Sequence, residues 1–232
     1  ESSAKYIYDI EAEENKVIYE SYFKSEDDLE GWVNDKGILT VSSEGMILEC
    51  IKSSNAYGEL GKFYKEDYIQ SNEFPEGGIE ISCIFDLSKF TQGITGDGFN
   101  YYVTLNNYKG EYNMNFVYNV MFVSNKGIYV YIGQQVNDTP VSSDKRKLIQ
   151  SDNNLYKFTI KLYNNSGKLE SIFRISNEKG KELFTNKLTS LGLSNEIRWD
   201  IDNCGGVRKI GFSGVRAKEY IIVKSSEIKI YE

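Results

Sequence analysis

Apolar and polar residues alternate along most of the chain, a pattern that predicts β-strands. In residues 78–86, for example, Ile79 and Ile81 fall on one side of the strand, and Glu80 and Ser82 fall on the other. The same reasoning predicts further strands at 7–10, 17–19, 38–42, 46–51, 57–63, 99–106, 111–123, 127–135, 155–163, 168–177, 182–186, 196–202, 207–213 and 219–231. No helical period extends beyond a few turns.

Two segments interrupt the strand pattern. Segment 25–31 begins with Ser25, a residue type that caps helices, and ends with Gly31, so it predicts a short helical turn. Residues 136–154 are polar and contain Pro140, and we interpret them as a loop, with a domain boundary as the alternative.

The number and regular spacing of the strands favour an all-β fold built from two packed antiparallel sheets. No break in composition divides the chain, so residues 1–232 are expected to form a single domain. Trp32 either plugs one end of this sandwich or offers a stacking surface. The expected core comprises Phe99, Tyr101, Phe116, Tyr118, Phe158, Ile160, Phe173, Trp199 and Phe212.

Composition excludes several classes of function. The chain has no histidine, which removes serine-histidine hydrolases, histidine-type zinc proteases and ordinary haem proteins. The 34 acidic and 27 basic residues give a formal net charge of −7, and the densest basic cluster, 145–147, is short and flanked by Asp144 and Asp152. We therefore expect no nucleic-acid partner. No apolar run approaches the ~20 residues of a membrane span, so none is expected.

Three cysteines allow at most one intramolecular disulfide. Cys83 lies in an apolar strand pattern and is expected to be a core thiol. Whether Cys50 pairs with Cys204 is left open by the sequence.

Four segments, in this order, carry a resemblance: Phe-Lys-Ser-Glu-Asp-Asp-Leu-Glu-Gly-Trp at 23–32, Gly-Met-Ile-Leu at 45–48, Gly-Asp-Gly-Phe at 96–99 and Lys-Ile-Gly-Phe at 209–212. The order resembles the concanavalin A-like lectin/glucanase jelly roll of secreted bacterial carbohydrate-binding modules and glycosidases. It consists of turn glycines and strand spacing along the whole chain. The resemblance implies two curved sheets, a ligand on the concave sheet or at its rim loops, and often a structural calcium. It does not imply one activity.

The outward positions of three consecutive strands, 99–106, 111–123 and 127–135, are rich in tyrosine and amide side chains. Sugars stack their C–H faces on aromatic rings, and their hydroxyls pair with amides, so such a face suits a neutral glycan. The alternative is a sheet that is merely polar on its wet side. The candidate carbohydrate-binding residues are Asn100, Tyr102, Asn113, Asn115, Tyr129, Tyr131 and Gln135.

Carboxylates suggest a different chemistry. Asp200 and Asp202 form the best intrastrand pair, about 6.8 Å apart by Cα, and glycoside hydrolysis uses two carboxylates. However, the Glu-x-Asp-x-x-Glu motif frequent in glycosidases of this fold is absent. With Asn203, the same two aspartates are candidate calcium ligands, and a hydrogen-bonded turn is the alternative.

The sequence therefore predicts a secreted or cell-surface jelly-roll domain that binds a polysaccharide or other glycan, with calcium as its one candidate cofactor. One alternative is a glycosidase or lyase of the same fold that uses Glu80, Asp200 or Asp202 as acid and base. The other is a surface domain that binds protein and no small ligand.

Overall fold

The described part of the chain consists almost entirely of strands. The structure is a computed structural model, and it describes residues 15–53, 56–66, 74–90, 97–107, 114–123, 127–136, 139–143, 147–189 and 204–232. The strands are β1 (Asn15–Ser21), β2 (Trp32–Lys36), β3 (Ile38–Ser42), β4 (Gly45–Glu49), β5 (Ile51–Ser53), β6 (Ala56–Glu59), β7 (Gly61–Glu66), β8 (Gly78–Asp86), β9 (Gly98–Asn107), β10 (Met114–Val123), β11 (Gly127–Val136), β12 (Thr139–Ser143), β13 (Lys147–Ile149), β14 (Leu155–Asn165), β15 (Lys168–Ser176), β16 (Glu182–Thr189), β17 (Cys204–Arg216) and β18 (Ile221–Tyr231).

These strands form two large antiparallel sheets. Sheet A has the order β16–β15–β14–β8–β18–β4–β3, and β1 also pairs with β18. Sheet B has the order β12–β11–β10–β9–β17–β7–β2, and β13 also pairs with β11. Strands β5 and β6 form a separate hairpin. Neighbours that are distant in sequence, such as β17 between β9 and β7, give the crossed connections of a jelly roll. The predicted all-β, two-sheet jelly-roll sandwich is confirmed.

The predicted helical turn is a single 3-10 turn at Glu26–Leu29, with Ser25 at its N-cap. The Asp28 side chain accepts the backbone N–H of Ser25 at 3.0 Å, which closes a capping box. Among the described residues, no helix has the length and apolarity needed to cross a membrane.

The interpretation of 136–154 as a loop was wrong. Within it, β12 pairs with β11 residues 133–136, and β13 pairs with β11 residues 128–130. These short strands lack a clear alternation of their own. The free edge of β11 supplies the backbone hydrogen bonds that order them, a tertiary effect that periodicity does not detect. The single strand predicted at 57–63 is divided into β6 and β7, and the predicted strands 7–10 and 196–202 lie outside the described residues.

The core lies between the inner faces of the two sheets, and the predicted core residues that the structure describes are all buried. Four rings form a row along the inner face of sheet B, one ring on each of β2, β17, β9 and β10. Trp32 stacks on Phe212 at 5.7 Å between ring centroids, Phe212 on Tyr101 at 5.6 Å, and Tyr101 on Tyr118 at 6.1 Å. Each pair contributes about 0.5–1.5 kcal/mol beyond its buried area. Trp32 is therefore a plug of the sandwich and not a surface platform. Predicted Trp199 lies outside the described residues.

Polar contacts tie the two sheets together inside this core. The Tyr118 hydroxyl lies 2.6 Å from the carbonyl oxygen of Thr159 and 2.8 Å from that of Arg174, both in sheet A. The buried Gln134 amide of β11 donates to the Ser171 hydroxyl of β15 at 3.0 Å. Hydrogen bonds between the sheets restrict how one sheet can slide over the other. Cys50 and Cys83 are free, buried thiols, which confirms the core assignment of Cys83.

Candidate ligand-binding face

The row of stacked rings also determines which residues face outward on sheet B. Phe212, Tyr101 and Tyr118 are register partners on their inner side. The next positions, Gly211, Tyr102 and Val117, are therefore register partners on the opposite side. A shift by one residue would exchange the two sets, so burial of the rings fixes the outer surface. We call this outer surface of sheet B the amide face.

A pocket of about 350 Å³ opens on the amide face. Its floor is formed by β9, β10 and β11, and one side is formed by β17 and β7. It is lined by Lys62, Asn100, Tyr102, Thr104, Asn115, Val117, Gln135, Arg208, Lys209 and Ser213.

The Tyr102 ring extends over the neighbouring strand β17. A Cβ atom added to Gly211 would come within 2.3 Å of both the Cζ and the hydroxyl oxygen of Tyr102. The absence of a side chain at Gly211 is thus what allows the ring to occupy this position. The ring is part of the pocket lining.

Two short hydrogen bonds fix the amides of the pocket floor. The Asn119 Nδ2 group donates to Asn100 Oδ1 at 2.6 Å. The Thr104 hydroxyl donates to Asn115 Oδ1 at 2.6 Å, and Asn115 is only 7% exposed. In both cases the side-chain oxygen of an asparagine in the pocket lining accepts a hydrogen bond from a neighbouring side chain.

Cationic side chains line the β7–β17 side of the pocket. Lys62 pairs with Asp35 at 2.9 Å, and Lys209 pairs with Glu66. Hydrogen bonding and attraction by Lys62 lower the pKa of the Asp35 carboxyl below its usual range. The Lys209 ammonium also lies 4.4 Å from the centroid of the Tyr64 ring. No carboxylate lines the pocket in the part of the chain that the structure describes.

Arg208 reaches the pocket because of a β-bulge. Strand β17 pairs Val207 with Leu105 and Lys209 with Thr104, so Arg208 is the extra residue between two register partners. In a regular strand, Arg208 and Lys209 would point to opposite faces of the sheet. The bulge directs both toward the pocket, a use of bulges that is common beside functional sites.

The structure brings four of the seven predicted carbohydrate-binding residues into this pocket: Asn100, Tyr102, Asn115 and Gln135. Tyr129 and Tyr131 lie on the same face of β11 but outside the pocket lining, and Tyr129 is 36% exposed. Asn113 lies outside the described residues. Asn115 faces outward as expected, although its hydrogen bond with Thr104 leaves it far more buried than an exposed face implies.

Sequence reasoning missed the cations of the pocket. Lys62 comes from β7, which is distant in sequence from β9 and reaches the site only through β17. The Gly-Gly dipeptide at 205–206, just before Arg208, is the one local signal of irregular backbone. Alternation alone assigns Arg208 to a strand face and cannot predict the bulge.

Of the carboxylates considered as acids, bases or metal ligands, Glu80 is the one that the structure describes, and it does not line this pocket. Asp200, Asp202 and Asn203 lie outside the described residues. Glu80 lies on the outer face of sheet A, between its register partners Lys161 and Lys229. Within the described ranges, no three cysteine, aspartate or glutamate side chains come together as a metal site.

A second pocket of about 290 Å³ lies at one end of the sandwich. It runs between Leu87 and residues 150–154, and its walls include the apolar side chains Phe122 and Ile128. The hydroxyl of Tyr156, also in the lining, accepts the backbone N–H of Ser151 at 3.1 Å. Tyr156, the one tyrosine among the described lining residues of this pocket, therefore has a structural role.

Comparison with known proteins identifies the fold but no sequence relative. No protein-family model and no curated protein sequence matches the chain. An endo-1,3-β-glucanase from Streptomyces sioyaensis has a similar structure, with a TM-score of 0.64 at 9% identity over 93% of this chain and 96% of that one. The CBM2 module of the evolved Dit of Lactobacillus casei BL23 phage J-1 gives 0.63 at 9% identity, over 94% and 96% of the two chains. Peanut lectin gives 0.57 at 15% identity, over 93% and 97%.

These similar structures include lectins and β-glucanases, and they share the arrangement of two antiparallel sheets described above. The likeness extends over nearly the whole chain, as the sequence resemblance implied. The protein therefore has the jelly-roll fold of the concanavalin A-like lectin/glucanase superfamily.

Proposed function

We propose that this protein is a secreted or cell-surface carbohydrate-binding domain whose ligand, a polysaccharide or other glycan, lies on the amide face. The single observation that carries the proposal is the pocket in which the Tyr102 ring, extended over Gly211, meets the hydrogen-bonded amides of Asn100 and Asn115. The similar structures with lectin and glucanase names support a carbohydrate ligand.

The chemistry of the pocket fits a saccharide. A pyranose ring has a flat patch of C–H groups that stacks on an aromatic face, and its hydroxyls require both donors and acceptors. Tyr102 supplies the aromatic face. Amide and hydroxyl groups of Asn100, Gln135 and Ser213 supply hydrogen bonds at its edge. Because the Asn100 and Asn115 amides are held by neighbours before any ligand binds, little ordering is required on binding.

Binding is favoured over hydrolysis by the groups that surround the pocket. The carboxylates that pair with two lysines of the lining, Asp35 with Lys62 and Glu66 with Lys209, do not themselves line the pocket. A glycosidase uses a pair of carboxyl groups about 5–10 Å apart across the scissile bond. A structural calcium held by Asp200, Asp202 and Asn203 remains a further part of the proposal.

The proposal is tested by a glycan-array screen, followed by titration of each hit with substituted proteins. Tyr102→Ala should weaken binding by about 1–2 kcal/mol, roughly tenfold, because the stacking surface is lost. Tyr102→Phe keeps the ring and should retain most of the affinity.

Tyr22→Ala is the matched control, because Tyr22 is 54% exposed and directly follows β1, which pairs with β18 of sheet A. It should leave binding unchanged. Equal affinity in the Tyr102→Ala and wild-type proteins, or an array without any hit, would overturn the proposed function.

A further inference from the structure

The charged side chains in the described lining of the pocket are all hydrogen-bond donors. Lys62, Arg208 and Lys209 carry only donors, and the described lining contains no carboxylate. Asn100 and Asn115 line the pocket with amide oxygens that already accept hydrogen bonds. A ligand at this site therefore meets three cationic donors, and the acceptors of the described lining are neutral hydroxyl and amide oxygens.

The described lining of the pocket is basic, unlike the chain as a whole. It contains three cations and no carboxylate, whereas the chain carries a formal net charge of −7. Both ion pairs are solvent-accessible, and exposed pairs contribute only about 0–1 kcal/mol. An anionic ligand can therefore compete with Asp35 or Glu66 for the lysines at little cost.

The β-bulge in β17 determines how the cations are arranged in the pocket. It adds a guanidinium beside the ammonium of Lys209, on the same side of the pocket as Lys62. A guanidinium offers five donors in a planar fork that matches the two oxygens of a carboxylate. Without the extra residue at position 208, the cations of the described lining would be Lys62 and Lys209 alone.

From these observations we propose that the glycan bound at the amide face is acidic, with an anionic group of the sugar held by Arg208 while its ring stacks on Tyr102. The inference rests on the proposed function and adds the substrate class: a saccharide bearing a uronate or other carboxylate, or a sulfate. It revises the sequence-based expectation of a neutral glycan, which considered only the tyrosines and amides.

The test uses glycans in matched pairs that differ in one anionic group. The pairs are sialyllactose and lactose, oligogalacturonate and its methyl ester, and a sulfated oligosaccharide and its desulfated form. The carboxylate and sulfate arms distinguish the two sources of negative charge. In at least one pair the acidic member should bind about tenfold or more tightly, the factor expected for a hydrogen bond to a charged group.

Arg208→Gln is the decisive variant, because it removes the charge and keeps a polar side chain at the bulge. It should abolish most of the preference for the acidic glycan, so that the two members of a pair bind with nearly equal affinity. Arg174→Gln is the matched control: it changes the net charge equally, and Arg174 is exposed on the sheet A strand β15. The preference should also decrease when salt is raised from about 50 to about 500 mM.

Three outcomes would overturn the inference. If both members of every pair bind with equal affinity and Tyr102→Ala still weakens binding, the preference for an acidic glycan is rejected and glycan binding is retained. Equal effects of Arg208→Gln and Arg174→Gln, or equally tight binding of a single-stranded oligonucleotide, would show general attraction to polyanions. Failure of every glycan to bind would reject the proposed function itself.

Discussion

The two outer sheet faces of this sandwich are both polar, yet they are built in different ways. On sheet A, charges are paired within the face: Lys229 with Glu227 at 2.9 Å, Lys187 with Glu170, and Lys161 over the Tyr231 ring at 4.6 Å. On sheet B, neutral amides and tyrosines occupy the centre, and the cations stand along one side of a pocket. The comparison indicates that polarity alone does not mark a binding surface.

Glu170 shows how completely sheet A satisfies its own groups. One carboxylate oxygen accepts the Tyr163 hydroxyl at 2.5 Å and the Lys187 ammonium, and the other accepts the Asn165 amide at 2.8 Å. Burial by itself would raise the pKa of Glu170, but hydrogen bonds from Lys187, Tyr163 and Asn165 outweigh it and lower the pKa to about 2. Because the Glu170 carboxylate already accepts hydrogen bonds from three side chains, it is a poor site for binding a ligand.

The amide face differs in topography as well as in chemistry. Gly211 and Gly133 lie in the same cross-strand row as Tyr102 and Val117. This row therefore has less side-chain bulk than the rows beside it, and the Tyr102 ring can extend over Gly211 within it. A ligand can occupy this depression beside hydrogen-bonded side chains, whereas the charged residues of sheet A pair with one another.

The largest expected effect comes from the core that both faces share. Phe116 is fully buried beneath the amide face, between Asn115 and Val117 in sequence. Phe116→Ala should cost about 3–5 kcal/mol of unfolding free energy because it leaves a cavity, and it should weaken glycan binding at the same time. Denaturant unfolding measures the first effect. An unchanged melting temperature would contradict the assignment of inner and outer faces in β10.

The second prediction concerns sheet A alone. Glu170→Gln removes a carboxylate whose pKa is lower in the folded protein, about 2, than its ordinary value of 4.5. The stabilisation it provides is present above pH ~4.5, is lost as the pH falls toward 2, and is on the order of 2–3 kcal/mol at neutral pH. The variant should melt lower at pH 7 and converge with the wild type near pH 2.

Glu227→Gln is the control on the same face, because its pair with Lys229 is partly exposed. Its cost should stay within about 1 kcal/mol. Neither substitution on sheet A should change glycan affinity. A loss of affinity in Glu170→Gln at a temperature where the protein is fully folded would undermine the contrast between the two faces.

Much of the fold could be predicted from the sequence, because the apolar residues at alternate positions of a strand are the ones that become buried. Strand 78–86 has the predicted bounds, and Phe99 to Leu105 face the core alternately as expected. The same alternation placed Asn100, Tyr102, Asn115 and Gln135 on one outer face. It could not place Lys62 or Arg208, because one depends on a long-range strand neighbour and the other on a bulge. Assignment of all 232 residues to one domain stays a prediction.

The smallest expected effect tests how far the binding surface extends along the amide face. Tyr129 is 36% exposed and lies opposite Leu148 of β13, which is 46% exposed. It is four residues along β11 from Gly133, about 13 Å from the row of Tyr102. A short saccharide in the pocket cannot reach it, whereas a longer chain running along β11 can stack on its ring.

Tyr129→Ala should therefore leave binding of a monosaccharide or disaccharide unchanged and weaken binding of a longer oligosaccharide by about 1 kcal/mol. Calorimetric titration with one saccharide series of increasing length measures this, and Tyr129→Phe, which keeps the ring, should behave like the wild type. Equal loss at every length would mean that Tyr129 supports the pocket indirectly. No loss at any length would confine the binding surface to the pocket, and the contrast between the two outer faces would then depend on Tyr102 and its neighbours alone.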